Sequence, residues 1–397
     1  MFRKNLKYIT GLLTLVFGLP YLVSAQNDNI VLSGYVKNMQ TVIFFNDSYP
    51  DYQQGTFVDT VFLDELIHHR LNMNWYMGDK FTLKAGLRTR LFLGDFVRST
   101  PDYGKSTDEV SNDFLDLSVL PIDKPSVVMH SVLDRLYLEY SAGNWEIRLG
   151  RQRVNWGINT VWNPNDIFNA FAFTDFDYEE RPGSDAVRVK YYTGIASSVE
   201  IAAKAADNLN EAVIAGMWKF NKWNYDFQLL GGYVKDDIVL GAGWAGNLKN
   251  AGFKGEFSWF TPLNDDIEED AFAATIGVDY SFANALYLNG GALYNSMGFA
   301  KGDASTLFSF ELSAKNLYPY KWAFFGQANY PITPLLNGGL AVIYSPVESQ
   351  ALFLNPLMTY SIKENWDVDL VGQVVFDKNE TYSSALQAVF LRLKYSY

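Results

Sequence analysis

From Phe81 to Leu93 the chain alternates cleanly. Phe81, Leu83, Ala85, Leu87, Leu91 and Leu93 share one face, and Thr82, Lys84, Gly86, Arg88 and Arg90 share the other. Side chains of a strand point to opposite faces with period two, so this is a strand with one apolar face that must be covered. The same alternation returns in Leu136, Leu138 and Tyr140 against Arg135, Tyr137 and Glu139. It returns again in Trp145, Ile147 and Leu149 against Glu146 and Arg148, and in Val187, Val189 and Tyr191 against Arg188 and Lys190. A soluble sheet covers its apolar face with a second protein layer. The alternative cover is lipid.

Composition favours lipid. Beyond residue 25 no run of about 18 apolar residues remains, which excludes a transmembrane helix in that part of the chain. Yet aromatic residues make up 16% of the sequence, with 25 Tyr, 29 Phe and 10 Trp, while charged residues make up only 19%. An apolar outer band, aromatic rims and a polar interior are the composition of a transmembrane β-barrel. The net charge of −12 argues against a nucleic-acid partner. There is no cysteine, so neither disulfides nor thiolate metal sites arise. The histidines His68, His69 and His130 form no metal set, because adjacent strand residues face opposite ways. A Ser-His pair with Ser126 or Ser131 has nothing to specify it. No cofactor and no enzymatic activity are expected.

At the N-terminus, Arg3, Lys4 and Lys7 precede an apolar run from Ile9 to Val23, then Val23-Ser24-Ala25 before Gln26. This is the pattern of a secretory signal peptide over residues 1–25. Residues 26–397 then form the mature domain, read as all-β: a single transmembrane antiparallel β-barrel with long extracellular loops and short periplasmic turns. About 19 strand segments can be marked out by alternation and turn signals. Single-chain barrels have an even count, so about 18 strands are expected, with about 16 next. Up-and-down tracking from both ends conflicts between Asn295 and Leu335, where Leu307–Lys315 is one of the candidates.

The last strand is read in Val389, Leu391, Leu393, Tyr395 and Tyr397, all on one face. It resembles the terminal strand of bacterial outer-membrane barrels, whose final aromatic is an assembly signal for the barrel insertion machinery. Leu391, Leu393, Tyr395 and Tyr397 are the residues that would carry it. The string from Gly150 to Thr160, Gly-Arg-Gln-Arg-Val-Asn-Trp-Gly-Ile-Asn-Thr, resembles a segment of porin-like outer-membrane proteins, in which a Gly-Arg-Gln strand leads into a Trp-Gly turn. These resemblances imply the outer membrane of a Gram-negative bacterium, with lipid around the barrel. They fix neither solute nor oligomeric state.

Strand parity places Arg70, Lys84, Arg88, Arg90, Arg135, Arg148, Arg188 and Lys190 on adjoining lumen positions, as a pore-lining basic wall. Parity breaks at Gly150: Arg151 and Arg153 would face lipid unless the register resets or the strand has left the membrane. Later strands place Asp226, Glu256, Glu311, Asp367 and Asp369 inward. Opposed fixed charges of this kind sort solutes in pores. The connection 157–184 holds Trp162, Asn163, Asp166, Phe168, Phe171, Phe173, Asp175, Asp177, Glu179, Glu180 and Arg181, just after Trp156. A connection this long is functional or disordered, and its aromatics argue for order. It is expected to fold inward as a constriction loop, its carboxylates meeting the basic wall. The alternative is an external cap packed by its own aromatics. The function expected is passive passage of small hydrophilic or anionic solutes. The other class is a non-channel binding or structural barrel, including a polysaccharide export or receptor role.

Overall fold

In the computed structural model of the protein, the residues described are 29–45, 50–51, 56–57, 61–170, 177, 181–263, 269–300, 312–378 and 381–397. The expected signal peptide, Phe171, Phe173, Asp175, Glu179, Glu180 and Glu311 lie outside them. The chain opens with strands β1 (Ile30–Phe45), β2 (Val61–Met77), β3 (Phe81–Gly94), β4 (Val127–Ala142), β5 (Trp145–Gln152) and β6 (Ser184–Gly194). Six more follow at short intervals: β7 (Ser197–Lys204), β8 (Val213–Lys222), β9 (Tyr225–Val234), β10 (Asp237–Leu248), β11 (Ala251–Pro262) and β12 (Ala271–Ser281). The last six are β13 (Tyr287–Asn295), β14 (Trp322–Thr333), β15 (Leu336–Tyr344), β16 (Leu352–Lys363), β17 (Trp366–Lys378) and β18 (Tyr382–Ser396).

Each strand pairs antiparallel with the one before it, and β18 returns to β1 with Val36 opposite Tyr395 and Val42 opposite Val389. The result is a closed barrel of 18 strands. Closure follows from the solvent. Hydrocarbon cannot satisfy an open row of N–H and C=O groups, and each one left unpaired there costs several kcal/mol. Among the described residues no helix is long and apolar enough to cross a membrane. Among the described residues the two α-helices, α1 (Asp95–Ser99) and α2 (Tyr103–Ser111), are short and belong to the β3–β4 connection. That connection also adds a strand, Ser118–Lys124, to the upper edge of β4, with Ser118 opposite Val132 and Lys124 opposite Val127.

The strands leave two unlike ends. One has tight turns, such as Trp223-Asn224, where φ is 55° and 61°, the paired left-handed conformation of a type I′ hairpin. The other carries the long connections. On the outer face Leu138, Leu149, Val187, Ile201, Leu240 and Ile276 are exposed, a band that only lipid can cover. Aromatic pairs rim the band at both ends. Trp145 and Tyr191 (4.7 Å between centroids) and Trp366 and Tyr395 (4.9 Å) lie at the tight-turn end, and Tyr294 and Trp322 (4.8 Å) at the other.

The segment Leu307–Lys315 is not a barrel strand. Residues 307–311 lie outside the described part, 312–315 are not extended, and β13 pairs directly with β14, Tyr287 opposite Asn329. Lys315 instead pairs with Asp237 at 2.6 Å, and Ala314 packs on an apolar core inside the barrel.

Candidate functional site

The segment that follows β5 is positioned by one glycine. Gly150 has φ 120°, and a Cβ there would collide with the carbonyl oxygen of Leu136. Beyond it Arg151 does not meet lipid. It is 2% exposed, with Nε 3.0 Å and Nη2 2.7 Å from the Asp185 carboxylate.

From there the chain crosses the inner face of the barrel. Trp156 is fully buried, its Nε1 donating to Glu200 of β7 at 2.6 Å and its carbonyl accepting from Gln228 of β9 at 2.7 Å. The backbone N–H groups of Ile158 and Asn159 both donate to the Glu256 carboxylate of β11 at 3.2 Å. Asn159 Nδ2 donates to Thr275 Oγ1 of β12 at 2.5 Å, and Ser258 Oγ donates to the Pro164 carbonyl at 2.8 Å. Trp162 then meets Tyr318 edge-on at 5.5 Å and Phe325 of β14 at 6.5 Å, on the wall facing the segment's origin. Asn163 lies against Gly157 and accepts the Asp166 N–H through its carbonyl at 3.0 Å.

Two apolar cores hold this path inside the barrel. Trp156, Ile167 and Phe168 pack on Met217, Leu230 and Phe260, and Trp162 packs with Tyr318 on Leu293, Phe325, Ile343 and Phe353. A buried side chain of this size contributes roughly 1.5–3 kcal/mol on burial, so the seat is firm.

Asp177 reaches the wall on the other side. Its Oδ1 lies 2.8 Å from Lys37 Nζ of β1 and 2.9 Å from Arg392 Nη1 of β18, and its Oδ2 lies 3.6 Å from His68 Nδ1 of β2. Burial alone would raise its pKa, but the bonds from His68, Lys37 and Arg392 outweigh that and hold the carboxyl well below the usual range. Asp166 is the opposite case. Burial pushes it up to about 7 against the pull of Arg153, whose Nη2 lies 3.6 Å away, and of Arg181. Arg181 is lowered to about 10, by burial and by the like charge of Arg153, and its carbonyl accepts from Arg135.

The basic residues of β2–β6 are interleaved with acids. Arg70 Nη1 meets Asp134 at 2.5 Å with both side chains buried. Arg148 bonds Glu139 at 2.8 Å and Glu146 at 3.0 Å, and Lys84 lies 3.6 Å from Glu139. Arg188 bonds Glu200 at 2.6 Å, with Glu146 at 3.5 Å. Lys190 sits over the Tyr192 ring at 4.7 Å. Arg88 and Arg90 line a cavity of about 390 Å³ together with α2, Asp134, Arg151 and Gly183. The wall is therefore a ladder of mixed charge rather than a strip of cations. Asp134 enters it through a bulge, since Gly86 faces Arg135 while Leu87 faces Leu133.

Lys37, Arg392, Asp134 and Glu200 were not singled out from sequence. Parity alone could have found the first two, Lys37 beside Val36 and Arg392 between Leu391 and Leu393. Of the later acids, Asp226 is exposed at a tight turn beside Asn221, Asp367 accepts from Ser361 at 2.7 Å, and Asp369 accepts from Arg392 at 2.9 Å. At the end of β18, Leu391 and Leu393 are exposed on the outer face, Tyr395 packs on Trp366, and Tyr397 covers His69 and Gly34. His69 thus takes the outer side of β2 but lies under a tyrosine rather than in lipid.

No family model and no curated protein sequence matches the chain. Solved structures do. OccK9 (OpdG) of Pseudomonas aeruginosa superposes with a TM-score of 0.60 at 10% identity, covering 93% of this chain and 98% of that one. OccAB4 of Acinetobacter baumannii gives 0.58 at 9% identity over 94% and 99% of the two chains. OccK5 (OpdH) of Pseudomonas aeruginosa gives 0.58 at 9% over 93% and 99%. At such identities the likeness is one of fold: this chain is a closed antiparallel β-barrel of the kind seen in these structures.

Proposed function

We propose that the barrel is a channel for passive passage of small hydrophilic or anionic solutes. The path would run along Arg70, Lys84, Arg88, Arg90, Arg135, Arg148, Arg188 and Lys190 and past a constriction formed by the 157–184 segment. What supports this is the uneven filling of the lumen. The apolar cores around Trp156 and Trp162 occupy the side of β6–β17, whereas the inner face of β1–β5 is charged and borders the cavity at Arg88 and Arg90. Fixed charges beside water act on passing ions, more strongly at low salt where screening is weak. Trp162, Asn163, Asp166 and Asp177 would set the aperture, together with Asp175, Glu179 and Glu180. The ending Leu391, Leu393, Tyr395, Tyr397 would serve as the assembly signal.

The test is single-channel current under a salt gradient. Neutralising Arg88 and Arg90 together shifts the reversal potential toward cations, and neutralising Glu179 and Glu180 shifts it toward anions. A conducting wild type with neither pair affecting selectivity places the constriction elsewhere. One observation favours a second reading. Leu293, Phe325, Ile343 and Phe353 face inward and are covered by apolar residues of the connections. A barrel that does not conduct at all would be plugged, with a binding or structural role.

A further inference from the structure

The inner face is chemically divided. Strands β13, β14 and β15 contain no Asp, Glu, Lys or Arg at any position. Where charge ends, carboxamides take over. From the Arg392–Asp369 pair, one cross-strand row passes to Thr359 and then Asn337. The adjoining row runs from Gly339 to Asn329 and on to Tyr287. Tyr287, Asn329, Asn337 and Thr359 line a cavity of about 240 Å³ whose remaining walls include Pro331 and Leu357. Thr359 donates to Asp369 at 2.6 Å, while the side chains of Tyr287, Asn329 and Asn337 make no hydrogen bond to another described residue. Two residues along β13, the buried Asn289 also leaves its Nδ2 without a partner. Gly339 supplies the room: a Cβ there would collide with Asn329 Oδ1.

We propose that this cavity is a lumenal subsite for an uncharged polyhydroxylated solute, a saccharide ring. Each carboxamide offers two donors and an acceptor, and a phenol offers one of each, which matches vicinal hydroxyls. Pro331 and Leu357 offer a surface for the C–H face of such a ring. An ionic ligand would find no counter-charge on these three strands. Specificity then comes from polar groups left unpaired when the wrong solute enters. The route of access rests on the channel reading, but binding itself does not.

The test is an equilibrium one on the folded barrel in detergent, with glucose and its ring-retaining carboxylate counterpart glucuronate as probes in saturation-transfer NMR. Glucose binds the wild type, and Asn329→Leu and Asn337→Leu each weaken it about tenfold, the loss of one neutral hydrogen-bonding group. Glucuronate binding, if any, is unchanged by these substitutions. Gly339→Ala, which displaces the Asn329 amide without altering it, gives the same loss and stands in should a leucine variant not fold, as judged by heat-modifiable gel migration. Absence of glucose binding, equal binding to all variants, or parallel loss of glucuronate overturns the proposal. Salt conductance, measured separately, decides the channel reading whatever the sugar result.

Discussion

Tyr397 reaches across β1 to His69 on β2. Its ring stacks on the imidazole at 6.4 Å, and its hydroxyl lies 2.9 Å from Nε2 while donating to the Arg70 carbonyl at 3.0 Å. The last side chain thus ties three strands at the seam where the ring closes. Tyr397→Phe keeps the stacking and removes both bonds, leaving a buried imidazole nitrogen unpaired. The expected loss is about 1–3 kcal/mol of unfolding free energy, read from urea transitions of the refolded barrel. Deleting Tyr397 is expected to lower outer-membrane levels while leaving export across the inner membrane intact. Unchanged levels would mean that the ending is only a strand.

Asp177→Asn takes the shared anion from Lys37, Arg392 and His68 at once. Removing one partner from a buried ion pair costs about 3–5 kcal/mol, much of it for the charges left behind. The connection should loosen at this attachment, seen as faster limited proteolysis between residues 170 and 183 and as flickering current. Combining it with Lys37→Met should recover part of the loss. If the single variant is as protease-resistant as wild type, Asp177 does not hold the segment.

Asp166 supplies a pH dependence of defined sign. Its carboxyl is raised from 3.8 to about 7, so the seated segment favours the protonated form. This contribution is fully present below the ordinary pKa and is lost as pH rises through about 7. Resistance of the segment to proteolysis should fall between about pH 4 and about pH 7, and Asp166→Asn should flatten that slope. A slope unchanged in the variant would assign it to another group.

Trp156→Ala tests the apolar seat. Emptying a fully buried indole site costs about 3–5 kcal/mol, and it also removes the bond to Glu200. The barrel should still form, because its strand ladders do not involve this residue. Circular dichroism should remain β-rich while near-ultraviolet tryptophan bands weaken. Loss of the β signal would show that the segment is needed for the ring itself.

Local rules carried the wall of this fold. β3 was legible because its pairing with β2 keeps one register from Met77–Phe81 to Asp64–Gly94. The inward positions of Arg70, Arg148 and Arg188 followed from the same parity. Parity says which way a side chain points but nothing of its partner, so a cation strip was read where Asp134, Glu139 and Glu200 interleave. The bulge that admits Asp134 has no period of its own. Leu307–Lys315 misled for a related reason, since alternation marks an apolar face but not whether the segment joins the ladder, and β13 pairs directly with β14. The bonds of Ile158 and Asn159 to Glu256 join residues 98 and 97 positions apart, a distance over which no sequence pattern speaks.

The position of Asp177 sets an order of events. Its two cations belong to the first and last strands of the ring, Lys37 of β1 and Arg392 of β18, which become neighbours only when the seam zips. Before that moment they lie at opposite margins of an open sheet, and one carboxylate cannot serve both. The Trp156 and Trp162 ends of the segment need only β7–β16, which can assemble earlier. The connection therefore docks in two stages, and its second attachment is a report that the cylinder is complete. A barrel stalled with its seam open would carry a tethered but unlatched segment. Protease sensitivity near Asp177 would then time closure from inside the lumen.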